Sequence, residues 1–478
     1  MEQPSQNELF AIRRAKLDAL RALGVDPFGG RFDTSGSIAE IRTRFAEGNL
    51  ERAAGRLTAH RDMGRSHFLD LNDGAARIQL FLSTKDLDPA QVELFKLLDL
   101  GDFIGAEGTC FNTKTGEPSL RVSNLTLLSK ALRPLPSSWF GLADVEQRYR
   151  QRYVDLLVNP ESREVLLQRV CIVRKIRDFL HERGFLEVET PMMQAVAGGA
   201  AAEPFKTHHN ALNLDLYLRI APELYLKRLL VGGFTKIFEL NRNFRNEGIS
   251  RRHNPEFTML EAYWAFADFE DMASLVEEMI CHLAQSVRGS LLIEHKDRSI
   301  DLTRPWRRTP YRDLVRRAAG EDWFDLAPEA RRARAAQLGV EVAPALADFE
   351  VTQHLFEKLV EEKTFDPLFV THCPRELVPL ARQNSQDPTT VDVYELIING
   401  QEISPGYSEL NDPIVQRERL EHQAGEEKQD IDEDFLAALE HGMPPAGGIG
   451  IGIDRLVMML TGAESIRDVI FFPQLKPK

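Results

Sequence analysis

The chain has 478 residues, 43% hydrophobic and 28% charged, the composition of an ordinary globular protein two or three domains long. That balance excludes a disordered, collagen-like or disulfide-scaffold protein, and no apolar run approaches the roughly 18 residues a membrane span needs. The net charge of −14 is uneven: residues 1–150 carry 20 basic and 20 acidic side chains, so the acidic excess sits in 151–478. A basic face for nucleic acid is therefore expected in the N-terminal third. The first residues lack a secretory apolar segment, and Glu2, Glu8 and Asp18 argue against a transit peptide. Cys110, Cys171, Cys281 and Cys373 are far apart and form no CxxC, which points to reduced thiols in the cytoplasm.

In chain order, residues 7–24 predict an amphipathic helix with Leu9, Ile12, Leu17 and Leu20 near helical spacing and Gly24 as its stop. Arg13, Arg14, Lys16 and Arg21 lie on or near its other face, either solvated or against phosphate. Residues 1–52 form a helical extension in this reading. Over 53–130, HFLDLND, RIQLFLS, DFIGAEGTCF and SLRVSNLTLLS are strand-like segments between turn signals. A small β-barrel fits, and an OB-fold offers a face for oligonucleotides. Residues 131–150 are a linker with Pro134, Pro136, Ser137, Ser138 and Gly141. The remainder, 151–478, mixes helices and strands. A helix is predicted over 161–183, ended by Gly184, then a strand FLEVET closed by Pro191. Residues 265–380 are mostly helical, as an insertion would be, and the acidic run 422–434 is exposed.

Three segments carry the chemistry. The stretch 236–266 predicts strand, polar loop, strand. Phe257, Met259, Glu261 and Tyr263 share one face, and Asn243, Arg245 and Glu247 share another in the first strand. Trp264 and Phe266 supply apolar bulk on the opposite side, as if the polar face lined a cleft. Arg251, Arg252 and His253 in the loop suit polyphosphate or a nucleic-acid end. In YELIINGQEIS, Asn399-Gly400 signals a two-residue turn. Ile397 then pairs with Glu402, and Glu395 becomes its diagonal neighbour. Two carboxylates so placed repel unless a cation lies between them, and Mg²⁺ with phosphates needs only one or two; exposed Glu on an edge strand is the other reading. Last, GGIGIGIDRLVMMLTG predicts a strand and a helix opening near Asp454, with Arg455 in its first turn. A basic residue at that helix end suits phosphate, and the glycines let a ligand or a backbone come close. There is no Walker loop.

These segments resemble the three signature motifs of class II aminoacyl-tRNA synthetases: FLEVETPMM, FRNEGISRRHNPEF and GIGIGIDR. With the barrel, and with APELYLKRLLVGGF and YSELNDP, the chain is similar to the lysyl-tRNA synthetase branch of subclass IIb from residue 7 to 473. The class I signatures HIGH and KMSKS are absent. The resemblance implies a multidomain α/β chain: an N-terminal OB-fold barrel and a class II catalytic domain, an antiparallel sheet flanked by helices, dimeric through motif one. It also implies residue roles. Arg245 contacts the α-phosphate and substrate carboxylate; Glu247 and His253 lie near adenine and phosphates; Asn254 is a backbone-like adenine contact. Phe257 stacks under adenine, with Arg455 above it reaching the γ-phosphate. Glu395 and Glu402 hold Mg²⁺. Glu223 accepts the α-ammonium near Gly199, while Glu261, Tyr263, Tyr407 and Glu409 line the side-chain pocket. Arg61, Phe68, Gln79 and Glu117 read the anticodon. The branch usually carries Asn where Pro405 stands, and Tyr407 replaces a common Phe.

The implied reaction joins L-lysine to ATP and then to tRNA(Lys), with no part for DNA or a membrane. An acidic pocket argues against an aspartate or asparagine synthetase, the barrel against a paralogue that lysylates a protein, and the retained arginines and Glu pair against a non-catalytic tRNA binder.

Overall fold

The computed structural model describes residues 5–136, 142–200, 202–296, 298–421 and 431–477. The chain divides into two compact units, Met1–Ala143 and Asp144–Lys478.

The first unit is a closed five-stranded barrel preceded by two helices. α1 (Gln6–Ala22) and α2 (Ile38–Thr43) both open with a capping box, Ser5 with Glu8 and Ser37 with Glu40. The strands are β1 (Leu50–Met63), β2 (Ser66–Asn72), β3 (Arg77–Ser83), β4 (Phe103–Asn112) and β5 (Pro118–Ser129), with α3 (Pro89–Leu97) between β3 and β4. They close in the order β1-β2-β3-β5-β4. Leu20, Ile38 and Ile41 pack into the same core as Leu69, Leu80 and Ile104, so the helical extension shares the barrel's core. The barrel begins at Leu50, within the stretch read as that extension.

Arg13 takes neither course expected of it. It is buried and donates to the carbonyls of Leu100, Ala131 and Arg133, while Lys16 pairs with Asp99 at 2.7 Å. The segment between α3 and β4 and the chain leaving β5 are thereby tied to α1.

The second unit opens with α4 (Val145–Arg150), α5 (Arg152–Val158) and α6 (Pro160–Glu182). The linker expected over 131–150 therefore ends before Val145, and its residues 137–141 lie outside the described residues. FLEVET yields only the two-residue β6 (Leu186–Glu187), since Pro191 removes a ladder donor soon after it. A small sheet follows, β7 (Met193–Gln194), β8 (Lys206–His209) and β9 (Leu214–Leu218), then α7 (Glu223–Val231). Next come β10 (Lys236–Phe244), β11 (Glu256–Ala265), α8 (Phe269–Leu283), the hairpin β12 (Leu292–His295) and β13 (Arg298–Asp301), and β14 (Arg307–Pro310). α9 (Tyr311–Ala319), α10 (Pro328–Gln337) and α11 (Asp348–Phe356) lead to β15 (Leu368–Thr371). β16 (Val393–Ile398), β17 (Gln401–Ser408), α12 (Pro413–Glu421), α13 (Glu433–Glu440), β18 (Ala446–Gly452), α14 (Ile453–Thr461) and α15 (Ile466–Val469) complete the chain.

The main sheet has eight strands in the order β14-β15-β16-β17-β18-β11-β10-β6. It is mixed, not purely antiparallel: β14 runs parallel to β15 and β6 to β10, at its two edges. Because β14 and β15 belong to it, residues 265–380 are not a separate helical insertion. One face of the sheet packs on α6, α8 and α14, where Ile176, Phe179, Val276, Ile280, Ile449 and Ile451 are fully enclosed. The opposite face carries the polar residues. Arg169 of α6 ties the layers together: it donates to Asp454 Oδ1 at 2.5 Å and to Thr258, whose backbone N–H donates to Asp454 Oδ2. Of the acidic run 422–434, residues 422–430 lie outside the described residues. At its end Asp432 pairs with Arg228 at 2.7 Å and caps α13, so that part is structural.

Candidate active site

The polar face is built by the strand period. In β11, Leu260 and Ala262 point into the core, and Met259, Glu261 and Tyr263 point to the other side. β18 lies beside β11 and answers it residue for residue: Gly452, Gly450 and Gly448 stand opposite Met259, Glu261 and Tyr263. The glycines keep the polar face open, and Ile449, Ile451 and Ile453 fill the core behind. Two expectations for 236–266 fail. β10 ends at Phe244, so Arg245 and Glu247 belong to the loop and share no strand face with Asn243. Phe266 is 77% exposed with φ of 66°, outside any core.

At one end of this face lie the residues matched to nucleotide. The Arg245 guanidinium sits 5.2 Å from the centre of the Phe257 ring, and its Nε is buried without a hydrogen-bond partner. Arg455, in the first turn of α14, donates to the Glu402 carbonyl at 3.0 Å and lies 3.3 Å from His253 Nε2. Burial, reinforced by the nearby arginine, lowers the His253 imidazole below its ordinary range. Glu247 is exposed on the loop. The Asn254 side chain is occupied, its Nδ2 donating to the Glu256 carbonyl and its Oδ1 accepting from Gln474 N–H, which leaves its backbone for a ligand.

The β16–β17 hairpin turns at Asn399-Gly400, both with positive φ, and pairs Ile398 with Gln401 and Ile397 with Glu402 as the turn chemistry requires. A bulge then sets Pro405 opposite Glu395. Glu395 is pushed up to about 8, first by burial and then by Glu402 and Glu361. Glu361 was not foreseen. It ends a one-turn π-helix, Glu357–Glu361, and accepts the Glu402 N–H at 3.3 Å; burial and Glu402 raise it to about 7. The Cys373 thiol also bonds to Glu395. A cleft of about 800 Å³ is bordered by Gly199, Glu395, Glu402, Pro405 and Tyr407.

Behind Tyr407 lies a buried charged cluster. The Tyr407 hydroxyl is 2.8 and 2.9 Å from the two Glu223 oxygens, and Tyr263 donates to Glu261 at 3.0 Å. Gly199, at φ 88°, packs against Glu223. Glu409 does not stand alone, as the pocket reading expected: Lys227 Nζ is 2.5 Å from its Oε2 and 2.8 Å from Glu223 Oε1. Lys227 is fully buried. Burial pulls its ammonium down, but Glu223 and Glu409 outweigh this and the net shift is upward. Burial drives Glu261 well above the carboxylate range and Glu409 to about 8, even with Lys227 beside it. The signal for Lys227 was present in ELYLK, where Glu and Lys stand at i and i+4, the favoured order on a helix.

On the barrel, the candidate anticodon residues Arg61, Phe68 and Gln79 lie on β1, β2 and β3, and Glu117 stands just before β5. Arg61 donates to Asp70 and Gln79, and Gln79 to Ser119. Arg77 joins Asp70 to Glu117. Phe68 lies outside the barrel core, 5.2 Å from Phe81, and Arg121 lies over Phe81 and Phe111.

An antiparallel-centred sheet of this order, with a loop Arg set against a strand Phe and a Gly-rich strand leading into an Arg-bearing helix, defines a class II tRNA synthetase. The family of class II tRNA synthetases for D, K and N matches residues 144–476, and the OB-fold nucleic acid binding domain matches 52–128. The lysine–tRNA ligase of Pelotomaculum thermopropionicum is 51% identical, over 99% of this chain and 96% of that protein; that of Carboxydothermus hydrogenoformans is 50% identical over the whole of both. The Staphylococcus aureus lysine–tRNA ligase is 45% identical over 99% of each. The chain belongs to the lysine–tRNA ligase family.

Proposed function

We propose that the protein activates L-lysine with ATP and transfers the lysyl group to tRNA(Lys). The observation that carries this is charge. Glu223 and Glu409 share one ammonium, Lys227, and Glu261 stands beside Glu223, so with all four ionised the pocket is two charges short of neutrality. Lysine is the standard amino acid that brings an α-ammonium and a flexible, primary ε-ammonium. Aspartate and asparagine bring no second cation.

In the first step a lysine carboxylate oxygen attacks the α-phosphorus of ATP; the bond to the β-phosphate oxygen breaks and pyrophosphate leaves. In the second, the 3′-terminal ribose hydroxyl attacks the lysyl carbonyl, AMP leaves, and the ribose proton passes to a phosphate oxygen. The carboxylate is already an anion, so no protein base is required for the first step. The chain's part is positioning and charge stabilisation. Arg245 would hold the substrate carboxylate and α-phosphate, Phe257 and Arg455 would sandwich adenine, and Glu247 and His253 would border the phosphates. Asn254, with its amide occupied, would offer backbone only. Gly199 and Glu223 would receive the α-ammonium, with Glu261, Tyr263, Tyr407 and Glu409 around the side chain.

Glu395 and Glu402 fit Mg²⁺, because two half-buried carboxylates on one hairpin are relieved of their repulsion by a cation, with Glu361 close by. The ion, when bound, neutralises charge on the phosphates. Exposed Tyr153, Leu157, Leu167, Val170, Leu186 and Met193, around motif one, support a homodimer covering them. Arg61, Phe68, Gln79 and Glu117 form a face suited to single-stranded bases. All four cysteines are free thiols, which supports a cytoplasmic location. ATP–pyrophosphate exchange with each amino acid, with and without tRNA, tests the reading: exchange is expected with lysine alone of the twenty, and charging of tRNA(Lys). Exchange with aspartate, or lysyl transfer only to a protein, would overturn it.

A further inference from the structure

Lys227 is a residue the two-step reaction does not use, yet it is fully enclosed at the centre of the amino-acid pocket. We infer that Lys227 is a specificity-determining residue: its ammonium permanently occupies one carboxylate oxygen of Glu409 and leaves the other for the ε-ammonium of the incoming amino acid. The inference rests on the reading of this pocket as the lysine site.

The geometry is asymmetric in the way this requires. Glu409 Oε2 is the oxygen in ion-pair contact with Lys227, at 2.5 Å, while neither of the two buried carboxylate oxygens accepts a hydrogen bond of normal geometry. Oε1 and the Tyr263 ring occupy the space over Gly448. A second ammonium therefore finds one lone-pair face already oriented. The groups facing Glu409 and Lys227 are Glu223 from α7, Glu261 and Tyr263 from β11 and Tyr407 from β17; Arg219, paired with Glu239 at 2.6 Å, stands behind Glu261. Among these described neighbours Lys227 is the one cation touching Glu409. Without it the carboxylate would have burial and Glu223 to contend with and no cation to offset them, and would hold its proton to a still higher pH. A protonated Glu409 cannot pair with an ammonium.

The sign follows. Lysine binds the ionised form, so below the pH at which Glu409 ionises, affinity falls about tenfold per unit. In the parent chain the profile is expected to bend near pH 8, from the Glu409 value of about 8. Removing the Lys227 charge moves the bend upward.

The test is the pH profile of KM for lysine in ATP–pyrophosphate exchange between pH 6 and 8.5, for the parent, Lys227→Met and Lys227→Arg. Lys227→Met is expected to lose at least tenfold in KM at pH 7, to regain it steadily up to pH 8.5 without a bend, and to change kcat less than threefold. Lys227→Arg keeps the charge and is expected to keep the parent's bend. A loss equal at every pH, or a bend that moves in both variants, overturns the inference and leaves Lys227 a packing residue. If Lys227→Met does not fold, the parent provides the second reading through norleucine, which is lysine without its ε-ammonium. Norleucine leaves Oε1 unpaired, so its inhibition is expected to hold steady below pH 8 and to weaken above it as Glu409 ionises, the reverse of the lysine profile; inhibition that ignores pH through 8.5 would show that Oε1 does not face the ε-position, and overturns the inference. Failure of the parent to activate lysine at all would instead overturn the pocket reading itself.

Discussion

Gly448 stands directly across the β11–β18 ladder from Tyr263, and it is glycine because its neighbours need the room. A side-chain carbon there would collide with Glu409 Oε1 and come within 2.8 Å of the Tyr263 ring. The smallest residue in the sheet thus fixes where the largest charge in the pocket sits.

Gly448→Ala should displace Glu409. A misplacement of about 1 Å costs on the order of 100-fold, so KM for lysine is expected to rise by that order while KM for ATP stays within a fewfold. The backbone φ of Gly448 is not in the left-handed region, so the fold itself tolerates alanine. Equal loss for both substrates in steady-state exchange would place the damage in the sheet instead of the pocket.

Glu395→Gln and Glu402→Gln should each cripple adenylate formation and raise the Mg²⁺ concentration needed for half-maximal exchange. Because the two act as one unit, the double variant should fall well short of the product of the singles. Fully multiplicative losses would show two independent sites.

Tyr407→Phe removes the hydroxyl that spans both oxygens of Glu223. The substitution looks conservative in the sequence and is not conservative in the pocket. Freeing Glu223 of one hydrogen bond to a charged group, worth ~1.5–3 kcal/mol, should lower KM for lysine about tenfold to 100-fold. A raised KM, measured in the same exchange assay, would show that the hydroxyl positions Glu223 for substrate.

Phe68→Ala tests the barrel face. One stacked base is worth ~1–3 kcal/mol, so KM for tRNA should rise between about fivefold and 100-fold, with tRNA-free exchange unchanged. Loss in both assays would contradict a role confined to tRNA.

Stability should respond to pH with a definite sign. Glu261, Glu395 and Glu409 are raised in the folded chain, so between their unfolded and folded values the native state holds more protons than the unfolded one. Stability contributed by those protons is lost as pH rises toward 8. Between pH 7 and 8, above the range of His60 and His253, the ligand-free Tm should fall by a few degrees, and added lysine should raise it more at pH 8 than at pH 7. A flat or rising Tm in calorimetry would contradict the ionisation states assigned to the pocket.

Much of this was legible in the sequence because it is local. Asn399-Gly400 fixes the hairpin register by turn chemistry, and from it the meeting of Glu395 with Glu402. The alternation in β11 places Glu261 beside Tyr263 by period alone. What was not legible depends on elements far apart in the chain. Glu361 reaches the Glu pair from the end of α11 through a π turn that no periodicity announces. Lys227 was readable as the i+4 partner of Glu223, but its contact with Glu409 joins α7 to a segment some 180 residues on. The face assigned to Asn243, Arg245 and Glu247 failed because a strand ends where its ladder ends, and Phe244 is the last paired residue. Arg13 could be read only as solvated or phosphate-bound, because its carbonyl partners lie about 90 to 120 residues away.

The alternation of glycine and isoleucine in β18 has a consequence for how the chain guards against error. A slip of one residue in its pairing would exchange the two faces. The isoleucines would then plug the cavity over Glu261 and Tyr263, while the glycines would hollow the layer beneath α6, α8 and α14. Such a chain would lose its core and its pocket in the same event. No misaligned molecule could stay sturdy enough to survive and yet bind the wrong amino acid, so fidelity in folding and fidelity in amino-acid choice are written into one seven-residue strand.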